Sequence, residues 1–395
     1  MPLGVAQPKG DRVTTVGIEE EFHLVDRRSR SLISVADTVM KRLPGPGFTG
    51  EAKLTCVETN TMPHANLGDL RDDLVRLRTR LVAAAGSCGV DVLASGTAPL
   101  TALADAIPTP EVRYAGQEHT YARLAAEALF SGLHVHVAAE DRDVAAASLA
   151  WISPWVPVLS ALCASSPYWL GEDTGYASWR TMLWQRWPTA GPAPRCRSAA
   201  EYDALVAGLL RSGVIQDKRM VYHDLRLSAH LPTIELRVCD AVPDLDRAVV
   251  VAAVFRALVR RAGAAVRAGR VAPHVGETLL RAATWRAARS GLEGDLVNPR
   301  TGVPEAANAV IRELLGTVEP ELRWYGDWER VSEGMDALVR HGSWARRQRM
   351  LGRREGLSAV VDLLARETAA LCSRPTGRPG GRRPRAFLRG HVDAA

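Results

Sequence analysis

Residues 15–26 read TVGIEEEFHLVD. Successive side chains of an extended strand point to opposite faces. Read as a strand over Val16–Val25, this stretch sets Ile18, Phe22 and Leu24 on one face and Glu19, Glu21 and His23 on the other. Three further segments share the period. Lys53–Asn60 separates Thr55, Val57 and Thr59 from Leu54, Cys56 and Glu58. Leu133–Ala138 alternates Leu133, Val135 and Val137 with His134 and His136. Thr233–Asp240 alternates Ile234, Leu236 and Val238 with Glu235, Arg237 and Cys239. The pattern predicts a sheet whose apolar side packs under helices while its other side gathers carboxylates, imidazoles and a guanidinium.

Helical periodicity is clearest over Leu67–Ala85, where Leu70, Leu74, Leu77 and Leu81 recur on one face, with Asn66 or Asp69 to cap the start and Gly86 the end. Further helices are expected over Gln117–Leu129, Val144–Cys163, Asp244–Ala268, Gly276–Arg289, Pro304–Leu315 and Arg353–Leu371, most with arginine on the wet side. The 395 residues are 47% hydrophobic and 24% charged, ordinary globular values. No membrane span is expected, the best candidate, Ala248–Val266, being cut by Arg256, Arg260 and Arg261. The net charge of +6 comes mostly from residues 373–395, which hold six arginines and one aspartate among Pro and Gly. Such a tail buries too little apolar surface to fold and reads as solvated, so nucleic acid is not expected as a partner. The six cysteines form no C-x-x-C pair. With no apolar leader in MPLGVAQPKGDR, this points to reduced thiols and a cytoplasmic protein.

An antiparallel sheet often wets one face, but a wet face usually mixes Thr, Lys, Ser and Gln. Here it carries glutamates, histidines and an arginine. Like charges on neighbouring strands repel by a few tenths to about 1 kcal/mol per pair, so a face of this kind needs cations. Hard divalent ions bound by carboxylate oxygens meet that need, and Mg²⁺ in particular is held by carboxylates together with substrate phosphates. His134 and His136 also admit a zinc hydrolase. No P-loop, strand-linked G-x-G-x-x-G or G-x-S-x-G motif is present.

The order of these pieces resembles the carboxylate–amine ligases of the glutamate–cysteine ligase type 2 family, in the glutamine-synthetase-like superfamily. The matching stretches are TVGIEEEFHLVD, EAKLTCVETNTMP (51–63), SGTAPL (95–100), Arg113-Tyr114, GLHVHV (132–137), ALCASSPYWLGEDTGYASWR (161–180) and DLRLSAHLPTIELRVCDA (224–241). The resemblance implies an α+β fold, a curved and mostly antiparallel sheet forming a funnel under amphipathic helices. It implies ATP and Mg²⁺ inside the funnel. Glu19, Glu21, Glu51, Glu58, His134 and Glu235 match metal positions. Arg237 matches the arginine that faces the transferred phosphate, and Arg237 and Glu58 are the implied catalytic pair. Arg226, Arg180 and Arg113 are candidates for phosphate or substrate carboxylate, with a structural ion pair as the open alternative. His136 is a supporting group or part of an amine pocket, and Trp179, Trp184 and Trp187 either wall a pocket or pack in the core. Leu227 stands where relatives commonly carry Pro, and Asn60 and His64 fall in a segment that bears on the acceptor.

The implied layout is an N-terminal extension (1–12), one ligase domain (13–372) and a disordered basic tail (373–395). The implied reaction phosphorylates a carboxylate, such as the γ-carboxyl of glutamate, and lets an amine such as that of cysteine displace phosphate. A zinc amide hydrolase and a catalytically silent binding protein are the alternatives. Partners are then small carboxylates and amines, and a homodimer is suggested by analogy alone.

Overall fold

In the computed structural model the described residues are 14–139 and 141–370, so the expected extension (1–12) and tail (373–395) lie outside them. Seven strands form one sheet: β1 (Val16–Asp26), β2 (Phe48–Gly50), β3 (Cys56–Asn60), β4 (Val90–Leu93), β5 (Gly132–Ala138), β6 (Leu225–Leu227) and β7 (Thr233–Asp240). Their order is β2-β3-β1-β5-β7-β6, with β4 also on β1, and every pairing is antiparallel. The length of β1 lets it serve three partners. One edge takes β3 over residues 19–23, and the other takes β5 over 16–20 and β4 over 23–26. The expected α+β architecture is observed, with a sheet that stays open at β2 and β6.

Four helices position the site: α1 (Leu67–Ser87), α2 (Val112–Tyr121), α3 (Trp179–Trp184) and α4 (Leu245–Arg267). Asn66 caps α1, accepting from the Gly68 amide, and Leu70, Leu74, Leu77 and Leu81 are fully buried. Helix α4 packs on β1, β5 and five other helices and is buried on almost every side. Its arginines therefore do not all face water as expected. Arg256 pairs with Asp327, and Arg247 donates to the carbonyls of Leu162 and Gly342.

Other elements depart from the sequence expectation for local reasons. The helix expected over Gln117–Leu129 begins five residues earlier as α2 and breaks at Ala122, which has φ +47°; a short helix, Arg123–Ala126, follows. The stretch 142–163 is long and apolar enough to cross a membrane, contrary to the expectation that none is. In this fold it is two helices joined by a 3₁₀ turn, Ser153–Trp155, with prolines opening the turn and the second helix, and it is mostly buried in the protein. Pro304–Ala306 is a strand, and the helix expected there runs Ala307–Tyr325. Helix Ala199–Arg211 had no clear sequence signal.

Between β5 and β7 the register breaks. Val135 faces Leu236, but Leu133 faces Cys239, so Arg237 and Val238 together stand opposite His134. This β-bulge shifts the parity of the strand end. Cys239 therefore lies in the core with Leu133, not on the polar face with Glu235. The thiols among the described residues are all free.

Glu20 sits on the apolar face of β1, between Ile18 and Phe22. Arg78 of α1 meets it as a fork, Nε to Oε2 at 2.9 Å and Nη2 to Oε1 at 2.6 Å, each side chain 3% exposed. The same guanidinium donates to the carbonyls of Val242 and Pro243 just before α4. Breaking such a pair strands one charge in the core. Arg78→Met is expected to destabilise the fold by about 3–5 kcal/mol in urea unfolding followed by tryptophan fluorescence. Adding Glu20→Leu should recover most of that loss.

Candidate metal and phosphate site

Residues opposite one another across antiparallel strands share a face. The register therefore lays the polar residues in rows. Thr49, Glu58 and Glu21 form one row across β2, β3 and β1. Asn60, Glu19 and His134 form the next. His136, Glu235 and Arg226 form the third across β5, β7 and β6. The rows make one wall of a cleft of about 340 Å³, whose lining also includes Glu51, Arg113, Tyr114, Trp184, Tyr222 and Arg237.

At the centre, Glu19 lies 3.2 Å from His134 Nδ1 and 3.1 Å from His136 Nε2, while His134 Nε2 faces Glu21 at 3.8 Å. Burial would raise the Glu19 carboxyl, but hydrogen bonds from the two imidazoles hold it well below the ordinary range. Burial and the Arg237 charge depress His134 and favour its neutral form. For His136 burial is outweighed by the Glu19 hydrogen bond and the Glu235 charge, and its pKa rises. Glu235 is gripped by Arg226 (2.7 and 3.1 Å) and by Arg237, which overcome its burial and keep it ionised.

At the opposite end no cationic side chain among the described residues touches Glu51 or Glu58. Glu58 accepts from Thr49 (2.7 Å) and Asn60 (2.9 Å), both neutral. Burial and the neighbouring carboxylates of Glu51, Glu19 and Glu21 push it well above its usual value. Burial and the charge of Glu21 likewise raise Glu51 to about 8.

Two groups of donors come within 4.8 Å of one another: Glu19, His134 and Glu235, and Glu21, Glu58 and His134. Each holds two carboxylates and one imidazole. The buried His134 Nε2 has no hydrogen-bond partner. Oxygen-rich sets of this kind suit Mg²⁺ or Mn²⁺ better than zinc, so the residues fit the ion the resemblance implies.

The sequence model of the glutamate-cysteine ligase family 2 (GCS2) matches residues 15–362. The chain belongs to this family. It is 49% identical over 358 residues to the "Putative glutamate--cysteine ligase 2-2" of Frankia casuarinae, an alignment that covers 90% of this chain but only 42% of that protein. The chain thus spans less than half the length of that relative. It spans nearly all of the protein of the same description from Mycolicibacterium smegmatis, at 44% identity, with 93% of this chain and 95% of that one covered. Among solved structures, glutamate–cysteine ligase from Francisella tularensis in complex with AMP superposes with a TM-score of 0.67 at 14% identity, covering 93% of this chain and 91% of the other. A bifunctional glutathione synthetase from Pasteurella multocida gives 0.64 at 13%, covering 90% and 53%. At these identities the likeness is one of fold.

Within this GCS2 chain, Glu19, Glu21, Glu51, Glu58, His134, Glu235, Arg113, Arg226 and Arg237 all line one cleft, although Glu51 belongs to neither donor group. Arg226 spends its donors on Glu235 and on the carbonyls of Arg219 and Val221. Arg113 lies 3.4 Å from Asp217. Arg180 does not line the cleft: it is 1% exposed and donates to the carbonyls of Arg237 and Val238. His136 sends Nδ1 to Thr233 and shares no donor group with His134, so the two imidazoles do not form a zinc pair. His64 is drawn away to Asp73 (2.9 Å), and Asn60 supports Glu58. Trp184 and Trp187 line the cleft, whereas Trp179 stacks on Tyr176. Leu227 packs in the core and pairs with Ile234 on the edge strand β6.

Sequence reasoning missed Lys53, Gln117, Glu118 and Tyr222. Lys53 is buried at the cleft beside Glu118. It is one of only four lysines in an arginine-rich chain, and that rarity was the available signal.

The Glu51 shift has a measurable consequence. An ordinary glutamate releases its proton near 4.5, this one near 8 in the folded chain. Between those values the folded state binds the extra proton, so stability is lost as pH rises. The metal-free protein is expected to melt lower at pH 8 than at pH 6, and Glu51→Gln should flatten that slope. Millimolar Mg²⁺ should raise the melting temperature more at pH 8 than at pH 6. Thermal scans across that range check all three.

Proposed function

We propose that the protein is an ATP- and Mg²⁺-dependent carboxylate–amine ligase. It activates a carboxylate, in the first instance the γ-carboxyl of glutamate, for attack by an amine such as that of cysteine. The observation that carries this reading is the convergence, in one cleft, of two carboxylate–imidazole donor groups with the guanidinium of Arg237 beside them. Membership of the GCS2 family supports it, and so does the likeness in fold to a ligase solved with AMP. We extend the proposal to a single ligase domain over residues 13–372.

A carboxylate is a poor electrophile. Transfer of the γ-phosphoryl group of ATP to it breaks the terminal phosphoanhydride and forms an acyl phosphate. The amine nitrogen then attacks the acyl carbon, the C–O bond to phosphate breaks, and the amide, ADP, phosphate and a proton leave. A bound Mg²⁺ neutralises charge on the phosphoryl oxygens. Glu19, Glu21, Glu58, His134 and Glu235 would hold it, with Glu51 close by. Arg237 stacks near Trp184, 5.4 Å from the ring centre. It can present a planar fork of donors to a phosphoryl group, a task a lysine performs poorly. Glu235, pinned between two arginines, keeps Arg237 oriented.

The zinc amide hydrolase is not favoured, because His134 and His136 share no donor group among the described residues and the donors are mostly oxygen. A silent binding protein would have no use for a cleft of mutually repelling carboxylates.

ADP release should be assayed across a grid of acids and amines, with ATP and Mg²⁺. Turnover is expected with an amino-acid carboxylate and a primary amine. Glu58→Gln should lower kcat by about 10²-fold or more, and Arg237→Lys by about 10²–10³-fold. No ATP-dependent turnover with any pair, or full activity in both variants, would sink the ligase reading.

A further inference from the structure

Arg180 is a cation buried in the protein with its fork turned to backbone. Nη1 donates to the Val238 carbonyl and Nη2 to the Arg237 carbonyl, each at 3.2 Å. No carboxylate among the described residues is in direct contact with it, the buried Asp224 and Asp240 acting on it only from farther off. A buried charge without a contacting partner is costly, and here its donors are spent on backbone. What it holds is the β-bulge of β7. Arg237 and Val238 are the two residues that face the single residue His134, where the regular ladder with β5 fails. Buried carbonyls that lose ladder partners need other donors, and the guanidinium supplies both at once.

The anchor behind Arg180 is equally specific. Its own amide donates to Ser166 Oγ (3.1 Å), and Ser166 Oγ donates to Asp240 Oδ2 (2.7 Å) at the far end of β7. Ser178, which caps α3, donates to the other oxygen of Asp240 (2.8 Å), and the Ser165 amide donates to Oδ2. Helix α3 is thus fastened to β7 at the bulge and again just beyond it. On the cleft side, Trp184 of the same helix lies 5.5 Å from the Arg180 guanidinium and 5.4 Å from that of Arg237. Gly132 leaves the room required: a Cβ there would come within 2.3 Å of Arg180 Nη2.

We infer that Arg180 is a positioning residue for Arg237, fixing the direction of that side chain into the cleft by clamping the two bulge carbonyls. The inference rests on the ligase reading for its activity readout but not for its structural one. Bulges re-aim side chains, and a misplacement of about 1 Å at a reacting group can cost about 10²-fold in rate.

The test uses the full-length chain. Arg180→Lys keeps the charge and loses the fork. It is expected to lower kcat by about 10–100-fold, to change the KM for the amino acid by less than about 3-fold, and to leave the melting temperature within a few degrees. Combined with Arg237→Lys it should cost no more than about 3-fold beyond Arg237→Lys alone, because the clamp has nothing left to aim. Independently of activity, amide hydrogen exchange over residues 237–239 should accelerate about 10-fold in Arg180→Lys. A kcat within 2-fold of the parent, effects that multiply in the double variant, or unchanged exchange would each overturn the inference. If Arg180→Lys fails to accumulate folded, Ser166→Ala loosens the same anchor. It is expected to cost about 3–10-fold in kcat, coupled to Arg237→Lys in the same way, and multiplying effects there overturn the inference as well. Absence of ATP-dependent turnover in the parent removes the ligase reading, while the exchange measurement still decides whether Arg180 holds the bulge.

Discussion

Strand β1 carries charge on both of its faces, and the rest of the molecule is arranged to make that tolerable. On the inner face one carboxylate, Glu20, is met by the fork of Arg78. That contact ties the strand to α1 and, through two carbonyls, to the entry of α4. On the outer face Glu19 and Glu21 project together into the cleft. A strand that must pair with three others while carrying three consecutive glutamates has little freedom to slip, since a one-residue shift would bring the two outer carboxylates inward and turn Arg78's partner out.

The cleft itself is electrically divided. Around Glu235 the protein supplies its own compensation in two arginines and an imidazole. Around Glu58 the contacts among the described residues are neutral donors, Thr49 and Asn60, and burial with the neighbouring carboxylates raises both Glu58 and Glu51, so that protons make up the difference. A cavity finished at one end and unfinished at the other is one built to be completed by something that binds. Family membership in GCS2 agrees with that reading, and the proposed magnesium–nucleotide chemistry explains why the unfinished end is the acidic one.

Much of this was legible in the sequence. The alternation in Val16–Val25 and Thr233–Asp240 marked strands whose observed bounds differ by at most one residue, because period two with charged residues at alternate positions has no helical interpretation. Parity alone put Glu19, Glu21, Glu58, His134, Glu235 and Arg237 on a common face. What parity could not carry was anything that breaks the period. The bulge moved Cys239 into the core, and Glu20, in phase with Ile18 and Phe22, turned inward to a partner 58 positions away. Arg180, a candidate for phosphate or substrate carboxylate with a structural ion pair as the alternative, is instead an internal donor to two carbonyls. Lys53 and Gln117 sit on a loop and on a helix whose start was misjudged by five residues, so no repeat pointed to them.

One detail of the two donor groups has a further implication for the proposed ions. Both donor groups include the same imidazole, and Nδ1 of His134 already lies against Glu19. A neutral imidazole has a single lone pair to give. Two cations placed side by side here would compete for one nitrogen, and the loser would be left with two carboxylates and several empty coordination positions. Oxygens brought in from outside the polypeptide would have to fill such positions, so the protein would offer three donors to one ion and only two to the other, leaving the second the more dependent on its guest.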